Sequence, residues 1–496
     1  MTTLQDVDRA DKDRESRAIP DALFTELYIA GQWRPPGSSE RIEVHNPATG
    51  SLIATVANAT VADCEAAVAA AADAAASWAA RPPRHRSEIL RRAWEIMVAE
   101  RASLAALITT ENGKSYADAQ AEIDYAAEFF RWFAEEAVRI GGDYRLSPEG
   151  DKRIVVSREP IGVAVLVTPW NFPAAMATRK LAPALAAGCT AVVKPATETP
   201  LTAGAIVDIL ARAGVPAGVV NYVTPRPAGP AVRAMLHHPA VRKLSFTGST
   251  EVGRLLLHEA ADNIVSASME LGGNAPFLVL ESADIGAAVA GAMVAKMRNG
   301  GCACTAANRF YVHRSLADAF TRDFAEAMRA TTMGPGLDPA NALGALISDA
   351  ERNKVAAVVA RAVDEGAIAL VGGHPPSGPG AFYPPTVLAG VHPDAAITQR
   401  EIFGPVAPII VFDTEDEAVD WANRTQMGLV GYVYGDACSA MRVAHRLQAG
   451  MVAVNKGVLS DPAAPFGGIK QSGLGREGGS EGIEEYLEEK YIAVDF

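Results

Sequence analysis

Ile161-Gly162-Val163-Ala164-Val165-Leu166-Val167, followed one helix-length later by Thr190-Ala191-Val192-Val193-Lys194, decides how this chain folds. Both are short, unbroken apolar runs rich in β-branched residues, as strands covered on two faces must be. Three more such runs, at 219–223, 243–246 and 267–270, recur with helix-length segments between them. That rhythm predicts βαβαβ units and a parallel sheet with helices on its faces. Sheets of this kind bind ligands beyond the carboxyl ends of their strands, and Asn171, Lys194, Gly248 and Glu270 each fall at or just past such an end.

A second series, at 276–280, 310–313, 368–371, 409–412, 429–434 and 451–454, predicts a further α/β domain beginning near Gly272. Upstream, 27–33 and 46–50 read as short strands and turns, and Ala-rich helices are expected over 61–140, where apolar residues recur at helical spacing. Glu122, Asp124 and Glu128 read there as a solvated helix face. The isolated run 154–157 and the alternating tail 484–494 can pair into a small sheet whose open edge would accept another subunit.

The chain has 496 residues, 49% of them hydrophobic, enough for two or more domains with full cores. A formal charge of −13 argues against a nucleic-acid partner, which needs clustered Lys and Arg. The charged start, 1–23, lacks the apolar core of a secretory signal and is expected to be a flexible tail. No apolar run approaches a membrane span. Cysteines at 64, 189, 302, 304 and 438 are odd in number and mostly scattered, which fits reduced thiols and a cytoplasmic address. No metal site is expected.

Chemistry concentrates in Arg298-Asn299-Gly300-Gly301-Cys302-Ala303-Cys304-Thr305. A reactive thiol needs a partly exposed turn, positive charge and room for a carbonyl to approach. Arg298 supplies charge, and Gly300 and Gly301 read as clearing the approach. A buried structural cysteine is the plainer alternative. Met269-Glu270-Leu271-Gly272-Gly273-Asn274 adds a carboxylate at a strand end, before a Gly-Gly pair that lets another backbone come close.

These two segments, with Thr168-Pro169-Trp170-Asn171-Phe172-Pro173, resemble the aldehyde dehydrogenase superfamily from about residue 27 to the C-terminus. The resemblance implies an α/β fold with three parts. They are a Rossmann-like NAD(P)-binding domain (24–143 and 161–271), a catalytic domain (272–470) and a small β oligomerisation element (144–160 and 471–496) that makes a homodimer or homotetramer. It implies Cys304 as nucleophile, Asn171 and the Cys304 N–H as oxyanion donors, Glu270 as the base for thioester hydrolysis, and Lys180 in the same polar network.

No G-x-G-x-x-G follows a strand in the right context, so the cofactor expectation rests on the resemblance. Gly248, Ser249 and Gly253, where a strand turns into a helix, match the family's cofactor loop; helix N-terminal amides can hold a pyrophosphate without the fingerprint. Lys194 is expected at the adenosine ribose, Glu401 and Phe403 at the nicotinamide ribose and ring, and Thr168, Pro169, Trp170 and Leu271 along the cofactor. Many NAD-preferring members carry glutamate where this chain has Thr197. The loss of that repulsion predicts acceptance of NADP beside NAD, with Glu198 able to restore part of it.

Arg179, Arg298 and Ser460 match the carboxylate-binding set of the succinate semialdehyde dehydrogenase branch, and two guanidinium groups plus a hydroxyl suit a short carboxylate. The same branch likeness covers 125–136 and 465–477. Expected activity is therefore oxidation of succinate semialdehyde to succinate. Alternatives are glutarate semialdehyde, broader aliphatic or aromatic aldehydes, and a structural protein on the same scaffold; Glu270 argues against acyl transfer to coenzyme A. Cys302, two residues before the nucleophile, leaves only a strained ring for a regulatory disulfide.

Overall fold

The computed structural model describes residues 18–20 and 22–495. The tail expected over 1–23 falls mostly on 1–17 and 21, outside the described residues.

The first series forms the centre of an eight-stranded sheet. Val220–Tyr222, Thr190–Lys194, Val163–Val167, Val241–Thr247 and Ser266–Glu270 lie side by side and run parallel. Successive side chains leave opposite faces of a strand, and both faces here are covered. Ala164, Leu166, Ala191 and Val193 pack into one core, while Val163, Val165, Val167 and Val192 pack into another. Leu27–Ile29 and Gln32–Arg34 extend one edge in antiparallel fashion.

At the other edge, Gly473–Leu474 pairs antiparallel with Met269 and Glu270. Residues 473–474 therefore sit on the first sheet rather than with the small one, where the sequence reading grouped 471–496. Gly473 permits this: its φ is +147°, and a Cβ there would lie 2.1 Å from the Met269 carbonyl oxygen.

Ile368–Val371, Thr386–Ala389, Val406–Phe412, Ala307–His313, Ala275–Val279, Val430–Tyr434 and Met451–Val454 form a second sheet in that order. All its pairings are parallel except that of Ile368–Val371 with Thr386–Ala389. In a third, antiparallel sheet, Arg153–Pro160 lies between Leu487–Val494 and Asp143–Leu146. Tyr144, Leu146, Tyr491 and Ile492 are exposed on its outer strands.

Helices Val61–Ala79, Pro83–Ala99, Arg101–Asn112 and Tyr116–Glu136 fill the Ala-rich stretch. The reading of Glu122, Asp124 and Glu128 as one solvated face fails at Glu122, which is 1% exposed. Its carboxylate is drawn inside by the Lys114 ammonium at 2.6 Å and by two backbone N–H groups, from Ala174 at 2.8 Å and Ala175 at 3.3 Å. Among the described residues, no helix is long and apolar enough to cross a membrane.

Candidate active site

Helix Ile285–Met297 delivers the cysteine segment, and the turn that follows is left-handed at Asn299, Gly300 and Gly301, with φ of 55°, 59° and 75°. A Cβ on Gly301 would lie 2.2 Å from the Gly404 carbonyl oxygen. The two glycines are buried, so they serve the turn and its packing against 401–405 instead of clearing a substrate path. Gly273 does let another backbone come close: a Cβ there would lie 2.2 Å from the Cys304 carbonyl oxygen. Cys304, held between these contacts, keeps partial exposure, while Cys302 is buried and its thiol donates to the Phe403 carbonyl at 3.3 Å. All five thiols are free.

Asn171 is fixed through its own carbonyl, which accepts from Lys114 Nζ at 2.7 Å and Asn299 Nδ2 at 2.9 Å. The helix after it, Pro173–Ala187, has no side-chain cap of its own, and the remote Glu122 carboxylate takes its first amides instead. Asn171 Nδ2 donates to the Cys302 carbonyl at 3.2 Å, which leaves the amide one further hydrogen. The Cys304 N–H has no acceptor among the described residues. Two donors thus lie on the same cleft as the partly exposed Cys304 thiol.

Glu270 ends its strand 3% exposed, and neither carboxylate oxygen has a hydrogen-bond partner among the described residues. Burial pushes it well above the usual carboxylate range, and the nearby Glu477 charge adds to the rise against Arg179, Lys180 and Arg476. Lys180 is fully buried, with Nζ 2.5 Å from Glu477 and 2.9 Å from the Ser245 hydroxyl. Burial raises the Cys304 thiol to about 12, against the pull of Arg179 and Arg298. Glu477 is the site residue the sequence reading passed over; its only signal was its place beside Arg476 in the 465–477 motif.

Arg179 is 2% exposed and boxed in. Its Nε lies 3.1 Å from Glu477, its guanidinium carbon lies 4.2 Å from the Phe466 ring centre and 5.3 Å from that of Phe129, and Nη2 donates to the Tyr125 hydroxyl at 3.3 Å. Arg298 is half-buried and has no carboxylate within 4.0 Å among the described residues. Its Nη1 donates to Ser460 Oγ at 3.4 Å, and its guanidinium carbon lies 5.1 Å from the Phe172 ring and 5.7 Å from that of Tyr125. The three expected substrate residues therefore share one neighbourhood, in which Arg179 is ion-paired while Arg298, bonded to Ser460, has no carboxylate partner among the described residues.

Beside Cys304 opens a cleft lined by Pro169, Trp170, Thr247, Gly248, Ser249, Leu271, Glu401 and Phe403. One wall is the start of helix Thr250–Ala261, capped by Ser249. Gly253, in its first turn, lies so near Leu271 that a Cβ would come 2.5 Å from that side chain. Thr247 Oγ1 is buried there without a hydrogen-bond partner among the described residues. Opposite, Glu401 accepts from the Gly273 N–H at 3.1 Å and is raised by burial to about 7, and Trp170 meets Phe403 edge to face at 5.3 Å. Lys194, whose carbonyl accepts from the Thr168 N–H at 3.1 Å, has an ammonium with no ion-pair partner among the described residues. Helix amides, a hydroxyl without a partner among the described residues and a carboxylate line the cleft and fit a dinucleotide, and the Lys194 ammonium stands at the end of a neighbouring strand of the same sheet. Thr197 lies apart, in a separate cleft with Glu198 and Arg226.

The sequence pattern of the aldehyde dehydrogenase family matches residues 33–492. The chain is 53% identical over 444 residues to a succinate-semialdehyde dehydrogenase of Paenarthrobacter nicotinovorans, covering 89% of this chain and 99% of that one. It is 47% identical to a glutarate-semialdehyde dehydrogenase of Pseudomonas putida, covering 95% and 97%. A crystal structure described as an Escherichia coli NADP-dependent enzyme superposes with a TM-score of 0.94 at 44% identity, over 96% of this chain and 98% of that one. Matched along nearly its whole length in sequence and in three dimensions, this chain belongs to the aldehyde dehydrogenase family.

Proposed function

We propose that the protein oxidises a short carboxylated aldehyde, succinate semialdehyde foremost, to the corresponding acid with NADP or NAD. The observation that carries this reading is Arg298: a half-buried guanidinium with no carboxylate partner among the described residues, bonded to Ser460 and close enough to Cys304 to bias its thiol. A cation left unpaired in such surroundings is costly unless an anion completes it. Arg298 and Ser460 take the substrate carboxylate, and Arg179 adds its charge from behind.

In this reading 24–143 and 161–271 hold the cofactor, with Gly248, Ser249 and Gly253 toward its phosphates, Lys194 toward a ribose, and Glu401 and Phe403 beside the nicotinamide. Bound there, the oxidised nicotinamide supplies the hydride acceptor and a positive charge that favours the Cys304 thiolate. The thiolate adds to the aldehyde carbon as a thiohemiacetal, whose oxyanion receives the second Asn171 amide hydrogen and the Cys304 N–H. Once the thioester has formed on Cys304, Glu270 takes a proton from the attacking water; its raised pKa makes it a stronger base than an ordinary carboxylate. Lys180 and Glu477 hold the charge balance behind it. The small antiparallel sheet, with its exposed outer strands, joins subunits into a dimer or tetramer, and the address is the cytoplasm.

Steady-state reduction of NADP and NAD across succinate semialdehyde, glutarate semialdehyde, butanal and benzaldehyde tests the reading. Succinate semialdehyde is expected to have the highest kcat/KM. A wide margin in favour of the uncharged aldehydes would overturn the carboxylate assignment, and a margin for glutarate semialdehyde would shift it by one methylene, as the Pseudomonas relative's name allows.

A further inference from the structure

Arg179 and Arg298 converge on one phenol. Tyr125, on helix Tyr116–Glu136, accepts a hydrogen bond from Arg179 Nη2 at 3.3 Å, while the Arg298 guanidinium carbon lies 5.7 Å from its ring centre. Its ring is braced edge-on by Phe129, with centroids 5.0 Å apart at 70°. The phenol oxygen is therefore engaged as an acceptor, but its own hydrogen has no acceptor among the described residues. A half-buried hydroxyl whose donor has no protein acceptor among the described residues, beside a guanidinium with no carboxylate within 4.0 Å among them, can give that hydrogen to an anion.

Arg179 is poorly placed to be that anion's main contact. One edge lies against Glu477 at 3.1 Å, another against Met176 Sδ at 3.9 Å and a third on Tyr125, and Phe466 and Phe129 lie near its guanidinium. We propose that the Tyr125 hydroxyl is a substrate-binding group of this site, donating its hydrogen to the carboxylate of the semialdehyde that Arg298 and Ser460 hold. This rests on the carboxylated-aldehyde reading above. Burial raises the phenol's pKa, most strongly among its influences, so the hydroxyl keeps its proton at neutral pH. The Arg179 bond sets the direction in which that hydrogen points.

The test is Tyr125→Phe, which removes one oxygen and keeps the ring, assayed beside Arg298→Ala with succinate semialdehyde and with butanal, an uncharged aldehyde of the same length. Tyr125→Phe is expected to raise KM for succinate semialdehyde about tenfold to a hundredfold, the loss of one hydrogen bond to a charged group, with kcat retained and butanal unaffected. An unchanged KM for succinate semialdehyde in Tyr125→Phe, while Arg298→Ala raises it, would overturn the role of Tyr125 and leave the carboxylate reading standing. Equal losses with both aldehydes would overturn it too, since a merely structural ring contact does not distinguish charge. If Arg298→Ala also leaves the preference untouched, the carboxylate reading falls and takes this assignment with it.

Discussion

The surroundings of Arg179 and of Arg298 hold the same charge under opposite conditions. Arg179 is closed in by two aromatic rings and tied to Glu477, which also binds Lys180, whereas Arg298 stands half-buried with a serine hydroxyl and no counterion among the described residues. A fully paired buried charge mainly specifies structure, because removing one partner strands the others. An unpaired, half-buried charge is available for a ligand. The comparison separates residues that hold the site together from residues that select what enters it.

The largest effect should come from breaking the closed side. Glu477→Leu leaves Arg179 and Lys180 without their shared carboxylate and is expected to cost about 3–5 kcal/mol, read as a lowered denaturation midpoint. Arg298→Ala should leave that midpoint nearly unchanged and instead raise KM for succinate semialdehyde about 100-fold. Equal stability losses in the two variants would erase the contrast.

Glu270 sharpens it on the chemical side. Because burial and Glu477 hold its pKa above the usual carboxylate range, it is protonated, and inactive as a base, at pH values where an exposed glutamate is already ionised. The hydrolysis rate should therefore rise with pH, about tenfold per unit, until that raised pKa is passed. Glu270→Gln should flatten the slope, and a wild-type profile already flat at weakly acidic pH would show that the carboxyl is not buried in this way. The smallest effect is expected at Thr197. Thr197→Glu brings a carboxylate into the cleft that also holds Arg226, and should move the ratio of kcat/KM from NADP toward NAD by about tenfold. An unchanged ratio would place cofactor choice elsewhere.

The parallel strands were legible because a sheet covered on both faces needs continuous apolar runs, and 190–194 is a strand over those same residues, buried throughout; 368–371 is also a strand, but an exposed antiparallel one at a sheet edge. Thr386–Ala389 and Asp143–Leu146 were not legible, being four residues each with no apolar run long enough to stand out. Glu122 was misread because a charge on an amphipathic helix looks solvated until its partner is known, and Lys114 lies on the preceding turn while the amides it caps are on another helix. Glu477 and Tyr125 lay inside the motifs 465–477 and 125–136 but were not singled out, for the same reason: their roles depend on residues brought near only by folding. Cys304, Asn171 and Glu270 were found through motifs, but only the structure gives their hydrogen bonds and burial.

The most direct test of the central claim, that Cys304 carries the substrate as a thioester, is the intact mass and peptide map of Glu270→Gln enzyme mixed with succinate semialdehyde and oxidised cofactor. Blocked hydrolysis should leave a succinyl adduct on Cys304. An adduct on another cysteine, or steady product formation with Cys304 unmodified, would contradict the account.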